Sequence, residues 1–145
     1  MTTVRPIRES DRDAWLTLWH GYNAFYRNDP TEAVTRAAFR RLCEGTDGFF
    51  GLVAEDGAGG LVGLTHAVFH PATWTTGTYC YLEDLFVSRG ERGSGTGRLL
   101  IEGVYAEADR RGADRVYWHT QQYNAQARSL YDSVAHATSF VVYKR

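Results

Sequence analysis

Residues 92–98 read Arg92-Gly93-Ser94-Gly95-Thr96-Gly97-Arg98, and they follow an apolar stretch that reads Tyr81-Leu82-Glu83-Asp84-Leu85-Phe86-Val87. The apolar stretch predicts a strand over residues 78–87, and the residues after the glycines predict a helix over residues 96–111. Glycines at every second position let the backbone turn tightly and bring its N–H groups against a ligand. Together with the unpaired N–H groups of the first helical turn and an arginine at either end, they predict a pyrophosphate-binding site. We call residues 92–97 the glycine cradle.

The spacing of these glycines differs from that of two common phosphate-binding motifs. The dinucleotide-binding fingerprint has the spacing GxGxxG, whereas Gly93, Gly95 and Gly97 give GxGxG. The triphosphate-binding loop needs a lysine after its second glycine, and Thr96 stands there after Gly95. A glycine-rich turn that binds no ligand is the remaining alternative.

Two motifs resemble those of the GNAT acetyltransferase superfamily. The pattern Val87-x4-Arg92-Gly93-x-Gly95-x-Gly97 is similar to its motif A, which binds the pyrophosphate of acetyl-CoA. The pattern Asn124-x2-Ala127-x2-Leu130-Tyr131 is similar to its motif B on the following helix. The strand at residues 81–87 resembles the diamine acetyltransferase branch, and residues 116–143 resemble the branch of histone, polyamine and D-amino-acid N-acetyltransferases.

The resemblance implies an α/β GNAT fold. Such a fold has a mixed central sheet of about six to seven strands, four helices on both faces of it, and strands four and five splayed apart. The alternation of predicted helices and strands is typical of the same class. We expect a single GNAT N-acetyltransferase domain over residues 1–145, since the chain has no internal repeat and no linker. A first helix is predicted from its N-cap Ser10 to about Tyr26, and a last strand from Ser139 to Tyr143.

Composition argues against several classes of partner. The 16 basic and 17 acidic residues give a formal charge of -1, which leaves no positive excess for a nucleic acid. The N-terminus has no apolar leader and no apolar stretch reaches about 18 residues, so we expect a cytoplasmic protein without membrane association. Cys43 and Cys80 form no CxxC pair; two free thiols are expected, with a disulfide as the alternative.

The resemblance implies acetyl-CoA as the cosubstrate and no metal. A backbone N–H of Phe86 or Val87 is expected to polarise the thioester carbonyl. Asn124 is the first residue of the last predicted helix, and helix capping alone would explain an asparagine at this position. The residues expected to contact acetyl-CoA are Leu85, Phe86, Val87, Arg92, Gly93, Ser94, Gly95, Thr96, Gly97, Arg98, Asn124 and Tyr131.

Acetyl transfer to an amine needs a deprotonated amine and a proton for the leaving thiolate. An alkyl amine has a pKa of about 10.4, so only about one molecule in a thousand is nucleophilic at neutral pH. Glu83 is the predicted base or amine-binding anion, while its neighbour Asp84 points to the opposite face unless a bulge intervenes. His119 is an alternative base. Tyr131 is the predicted general acid, as its position in motif B implies, and packing in the core is its alternative.

The sequence indicates less about the site that binds the acceptor amine. Adjacent carboxylates suit a cationic amine, whereas an aromatic stripe at helical spacing is more often core than pocket wall. His66 and His70 lie four apart on a predicted strand, and without a third ligand ordinary strand histidines are favoured over a metal site. The residues expected to contact the acceptor are Tyr22, Tyr26, Trp74, Glu83 and Asp84.

These residues predict an acetyl-CoA-dependent N-acetyltransferase that works by direct attack in a ternary complex. A small primary amine (a polyamine, a diamine or an amino acid) is the favoured acceptor, because little of the chain remains for docking a protein. A protein-lysine or N-terminal acetyltransferase and a non-catalytic CoA-binding module are the alternatives. The resemblance and the apolar run Phe140–Tyr143 imply a homodimer, and tetramers occur in the same branch.

Overall fold

The computed structural model describes residues 1–145 and places five strands in one mixed sheet with helices on both faces. The strands are Thr3–Pro6 (β1), Phe49–Glu55 (β2), Leu61–His70 (β3), Tyr79–Val87 (β4) and Arg115–Tyr117 (β5). The helices are Arg12–Phe25 (α1), Glu32–Glu44 (α2), Thr96–Arg111 (α3) and Ala125–Val134 (α4). No helix combines the length and the apolar character that crossing a bilayer requires.

The sheet has the order β1-β2-β3-β4-β5, which separates two apolar cores. The first four strands are antiparallel neighbours, and β5 returns parallel to β4 after the crossover helix α3. Helices α1 and α2 cover one face, where Trp15, Leu18 and Leu64 are buried. Helix α3 covers the other face over Leu100, Ile101 and further buried residues. Both cysteines are free, as expected.

The last predicted strand does not form, so the sheet has five strands rather than six to seven. No backbone hydrogen bond to another backbone group is recorded beyond Ala135. The run Phe140–Tyr143 is exposed, with side chains between 66% and 92% accessible. Aromatic and β-branched residues favour a pleated surface, but a strand also needs a neighbouring backbone, and none lies beside these residues within the chain.

Helix α2 has a defined cap at each end, whereas the start of α1 differs from the prediction. The hydroxyl of Thr31 accepts the Val34 N–H, and Gly45 ends α2 in the left-handed region. Ser10, the predicted cap of α1, lies instead in a short 3-10 turn, and α1 begins at Arg12. The carboxylate of Asp11 stabilises this turn by accepting the Arg8 N–H at 2.8 Å.

Candidate active site

The glycine cradle leads from β4 into α3 through left-handed backbone. Gly93 has a φ of 83° and Gly95 a φ of 87°, a region that favours glycine because a Cβ strains the backbone there. A Cβ at either position would meet no atom within 4 Å, so this side of the loop is bare backbone. The N–H groups of residues 95–98 have no backbone acceptor within the chain. These donors, at the positive end of the helix dipole, fit a pyrophosphate group.

Arg92 and Arg98 flank the cradle, and each also contacts the protein. The Arg92 guanidinium lies over the Phe25 ring at 5.4 Å from its centroid, and its Nε donates to the Val87 carbonyl at 3.1 Å. Arg98 donates to the hydroxyl of Ser133 at 3.1 Å. Both arginines are exposed, so their charge remains available to an anion in the cradle.

Strand β5 is short and pairs only with the beginning of the longer strand β4. The parallel register runs from Tyr79 opposite Arg115 to Tyr81 opposite Tyr117. Residues 82–87 of β4 have no strand on that side, so this part of the strand edge is open, as a splay of strands four and five would leave it. An open strand edge therefore leads to the glycine cradle.

The open edge of β4 presents the amides of alternate residues. Ser88 donates its N–H to the Val62 carbonyl at 2.8 Å, so the N–H of Ser88 points toward β3. Because backbone direction alternates along an antiparallel strand, the amide of Phe86 also faces β3, while those of Leu85 and Val87 face the cleft. Of the two amides predicted to polarise a carbonyl, Val87 has the one on the open edge.

A β-bulge in β4 brings two adjacent acidic side chains to one face. His66 of β3 lies opposite Asp84, but the next residue of β3 lies opposite Leu82, so Glu83 is an extra residue. Leu82 and Leu85 are three apart and yet both pack in the core under α3. The alternation that puts Glu83 and Asp84 on opposite faces is therefore broken, and both side chains face the α1 side of the sheet.

Glu83 lies in surroundings that disfavour its charge. Desolvation by the neighbouring protein raises the pKa of Glu83, and the adjacent charge of Asp84 raises it further. A carboxylate with a raised pKa is a stronger proton acceptor than an ordinary one, provided that the pH keeps it ionised. The side chain nevertheless reaches solvent, so a ligand can approach it.

Aromatic side chains of β4 and β5 lie beside Glu83, and the sequence analysis did not predict this cluster. The rings of Tyr81 and Tyr117 are 5.0 Å apart, and the hydroxyl of Tyr81 lies 3.2 Å from Nδ1 of His119. Burial raises the pKa values of both tyrosines, and Glu83 adds to each shift. Tyr81 lies two residues before Glu83 on the same predicted strand, and this spacing indicates that the two side chains share a face. His119, the alternative base, joins the site through Tyr81.

A buried chain of hydrogen bonds, from Trp15 through His66, fixes the side chain of Asp84. Its Oδ2 lies 2.9 Å from Nδ1 of His66, and the indole N–H of Trp15 donates to Nε2 of His66 at 3.0 Å. Trp15 is 1% exposed and His66 is 4% exposed. Sequence reasoning assigned neither residue to the site, because only the tertiary fold places α1 over the middle of β3.

Two of the three predicted aromatic acceptor residues lie near Asp84. Burial raises the pKa values of Tyr22 and Tyr26, and the charge of Asp84 raises both further. Their ring centroids are 4.9 Å apart. Trp74 is 87% exposed and lines a cavity of about 300 Å³ together with residues such as Tyr79, Arg115 and Phe140, which does not include the carboxylates.

Helix α4 places Tyr131 across from α1. Asn124 caps the helix by accepting the Ala127 N–H at 3.3 Å. Tyr131 packs edge-on against Trp118 at 5.4 Å between ring centroids, and its hydroxyl makes no hydrogen bond within the chain. Since no buried side-chain polar atom lacks a partner, this hydroxyl is accessible. Burial raises the pKa of Tyr131 to about 12, and the phenol of Tyr26 on α1 adds to the shift.

The two histidines of β3 do not converge on a shared position. His66 contacts Trp15 and Asp84, whereas His70 lies 2.8 Å from the Pro71 carbonyl and 2.7 Å from the Tyr117 hydroxyl. No group of three or more His, Cys, Asp or Glu side chains is arranged to hold a metal ion.

Comparisons with known proteins agree with this geometry. The model of the family described as Acetyltransferase (GNAT) family matches residues 12–135. The chain is 37% identical over 143 residues to the D-amino-acid N-acetyltransferase HPA3 of Saccharomyces cerevisiae, covering 98% of this chain and 89% of that protein. It is 30% identical over 140 residues to the thialysine N-epsilon-acetyltransferase of Mus musculus, covering 90% of this chain and 81% of that protein. The crystal structure of a ribosomal-protein-alanine N-acetyltransferase from Brucella melitensis biovar Abortus shares the fold, with a TM-score of 0.78 and 19% identity over 100% of this chain and 98% of that one.

Proposed function

This chain belongs to the GNAT acetyltransferase family and is an acyltransferase, and we propose that it transfers acetyl from acetyl-CoA to a primary amine of a small molecule. The acceptor would be a polyamine, a diamine or an amino acid, and transfer would occur by direct attack in a ternary complex. The observation that carries the proposal is the pair of adjacent carboxylates, Glu83 and Asp84, which the bulge turns to one face beside the splayed edge of β4. The names of the two relatives specify small amine acceptors, which supports this class.

GNAT acetyltransferases use acetyl-CoA, and the donors of this chain fit its pyrophosphate. The backbone N–H groups of residues 95–98, with Arg92 and Arg98 at the flanks, would hold the phosphates. The cleft-facing amides of Leu85 and Val87 would bind the extended part of the molecule along the open strand edge. Bound there, acetyl-CoA supplies an activated acyl group on a thiol that can leave.

The side chains around the cleft can handle both protons of the reaction. Asp84 would hold the cationic amine, and a carboxylate oxygen of Glu83 would accept its proton, directly or through a water. As the N–C bond forms and the C–S bond breaks, the Tyr131 hydroxyl would donate its proton to the sulfur. A pKa of about 12 keeps this phenol protonated at neutral pH. Such a weak acid gives up its proton only as the sulfur gains charge, so donation must accompany C–S cleavage.

A thiol-release assay with acetyl-CoA tests the proposal. The acceptor panel contains alkyl diamines, polyamines, D- and L-amino acids, and histone-tail peptides. We expect turnover with at least one small amine at a kcat/KM well above that of any peptide. Turnover with peptides alone would establish the protein acetyltransferase alternative. Binding of acetyl-CoA without turnover on any acceptor would establish the non-catalytic module.

The pH dependence of kcat/KM should report the carboxylate of Glu83. The base must be ionised, so the rate rises with pH through a pKa that lies above the ordinary glutamate value. Glu83→Gln should abolish this limb and lower the rate about 10²-fold or more. Asp84→Asn removes the neighbouring charge, so the limb should move to lower pH. A limb that keeps its position in both variants would assign it to another group, of which His119 is the first candidate.

We also propose that the exposed run Phe140–Tyr143 mediates a homodimer in the cytoplasm. Strand β5 is an edge strand, and an exposed apolar segment of high strand propensity is suited to pairing with a second copy. Sedimentation velocity should show a dimer for the wild type and a monomer for Val141→Glu. Ser139→Glu adds the same charge without removing apolar surface and should remain dimeric. A monomeric wild type, or a dimeric Val141→Glu protein, would contradict this assembly.

A further inference from the structure

The hydrogen-bond chain behind Asp84 determines which nitrogen of His66 carries a proton. An indole nitrogen only donates, so Nε2 of His66 must accept the N–H of Trp15 at 3.0 Å with its lone pair. The single proton of the neutral ring then lies on Nδ1, which donates to Oδ2 of Asp84 at 2.9 Å. A second proton on the ring would set two N–H donors against each other in a buried position.

The surroundings of His66 contain no compensating cation. From α1, the rings of Trp15 and Trp19 contact the imidazole, and both are uncharged. From β4, the carboxylate of Asp84 bonds to it and that of Glu83 acts on it through its charge. From β2, the residue opposite is a glycine. Tyr22 and Tyr26 of α1 are the further titratable groups on this side of Asp84, and the pKa values of both are raised. A neutral His66 therefore leaves the two adjacent carboxylates with an uncompensated charge.

We propose that Trp15 and His66 are positioning residues for Asp84: the indole N–H keeps His66 neutral, and the Nδ1–H of His66 fixes the carboxylate as the uncompensated anion that binds the acceptor ammonium. His66 engages Oδ2 of Asp84, and the Tyr22 hydroxyl also bonds to this carboxylate from the α1 side, where the acceptor ammonium would take its place. If His66 held a second proton, the His66–Asp84 pair would be neutral and its attraction for a cation would fall. The acceptor-binding half of this inference rests on the proposed function, whereas the hydrogen-bond chain does not.

Nitrogen-15 NMR of the histidine rings tests the hydrogen-bond chain without any substrate. His66 is identified as the signal lost in His66→Gln. At neutral pH the wild type should show a protonated Nδ1 and an unprotonated Nε2. In Trp15→Phe the lone pair of Nε2 loses its donor, so a proton should appear on Nε2. Trp19→Phe is the matched control: its ring also contacts His66, but its indole N–H donates to Thr35 at 3.0 Å, so the protonation pattern of His66 should stay as in the wild type.

Steady-state kinetics with a short alkyl diamine test the consequence for binding. Trp15→Phe should raise KM about tenfold with kcat nearly unchanged, because a proton on Nε2 of His66 would offset the charge of Asp84; the tenfold change corresponds to about 1.4 kcal/mol. His66→Gln can accept from Trp15 through its carbonyl and donate to Asp84 through its amide, so KM should stay near the wild-type value at all pH values. His66→Leu can do neither and should raise KM at all pH values.

Three results would overturn the inference. One is a doubly protonated His66 in the wild type at neutral pH, and another is a Trp15→Phe protein whose His66 spectrum matches the wild type. The third is the expected spectral change with no change in KM, which would separate the chain from acceptor binding. If the wild type transfers acetyl to no amine, the proposed function fails, and the NMR result still decides whether Trp15 sets the state of His66.

Discussion

Replacing Tyr131 with phenylalanine is expected to lower kcat about 10²-fold while acetyl-CoA still binds. The ring packs against Trp118, and the hydroxyl has no partner within the chain, so the substitution removes a proton donor without disturbing the fold. Isothermal titration calorimetry should give an unchanged affinity for acetyl-CoA. The thiol-release assay should give the reduced kcat.

Tyr123→Phe is the matched control for this change. Tyr123 precedes α4, is 83% exposed, and loses the same hydroxyl group without an expected effect on turnover. Turnover at the wild-type rate in Tyr131→Phe would remove this phenol from the mechanism. The proton for the thiolate would then have to come from solvent.

Replacing Gly95 with valine is expected to weaken acetyl-CoA binding about 10²-fold or more. At a φ of 87° a β-branched residue is strained, and its side chain would project over the bare backbone donors of the glycine cradle. Relief of the strain would turn the N–H groups of the first turn of α3 away from a common anion. Calorimetry with acetyl-CoA measures the loss, and far-ultraviolet circular dichroism checks that the fold persists.

Gly90→Ala separates this effect from a general effect of losing a glycine. A Cβ at Gly90 also meets no atom within 4 Å, but its φ is not in the left-handed region. We expect Gly90→Ala to bind acetyl-CoA as the wild type does. An affinity in Gly95→Val equal to that of Gly90→Ala would place the pyrophosphate elsewhere.

Local patterns correctly predicted helix α3 and the cap of helix α4. The helix α3 has the predicted bounds, because the glycines, the apolar periodicity and the terminal Gly112 all act within a few residues of one another. Asn124 caps α4 as expected, since a cap is a contact over three residues. The exception is the run Phe140–Tyr143, whose strand propensity was correctly read but whose partner strand is not within the chain.

The arrangement around Glu83 and Asp84 depends on contacts that no local pattern contains. Strand alternation separates Glu83 from Asp84, and the bulge that reunites them depends on the pairing of β4 with β3. The residue that holds Asp84 comes from β3, and the indole that orients it comes from α1, 51 residues away in sequence. Spacing along the chain cannot indicate such a contact, because packing of the helix on the sheet creates it.

By itself, then, the sequence determined the glycine cradle from Arg92 to Gly97, the helix that follows it, and the resemblance that made acetyl-CoA the expected cosubstrate. Those features are short-range, since turn geometry, helix capping and an unpaired first turn depend on neighbouring residues. Only the tertiary structure decided that both carboxylates share one face and that Val87 rather than Phe86 turns its amide to the open edge of β4. It also decided that Trp15 and His66 form a hydrogen-bond chain to Asp84. Strand register and helix packing set those positions, and both are long-range properties of the folded chain.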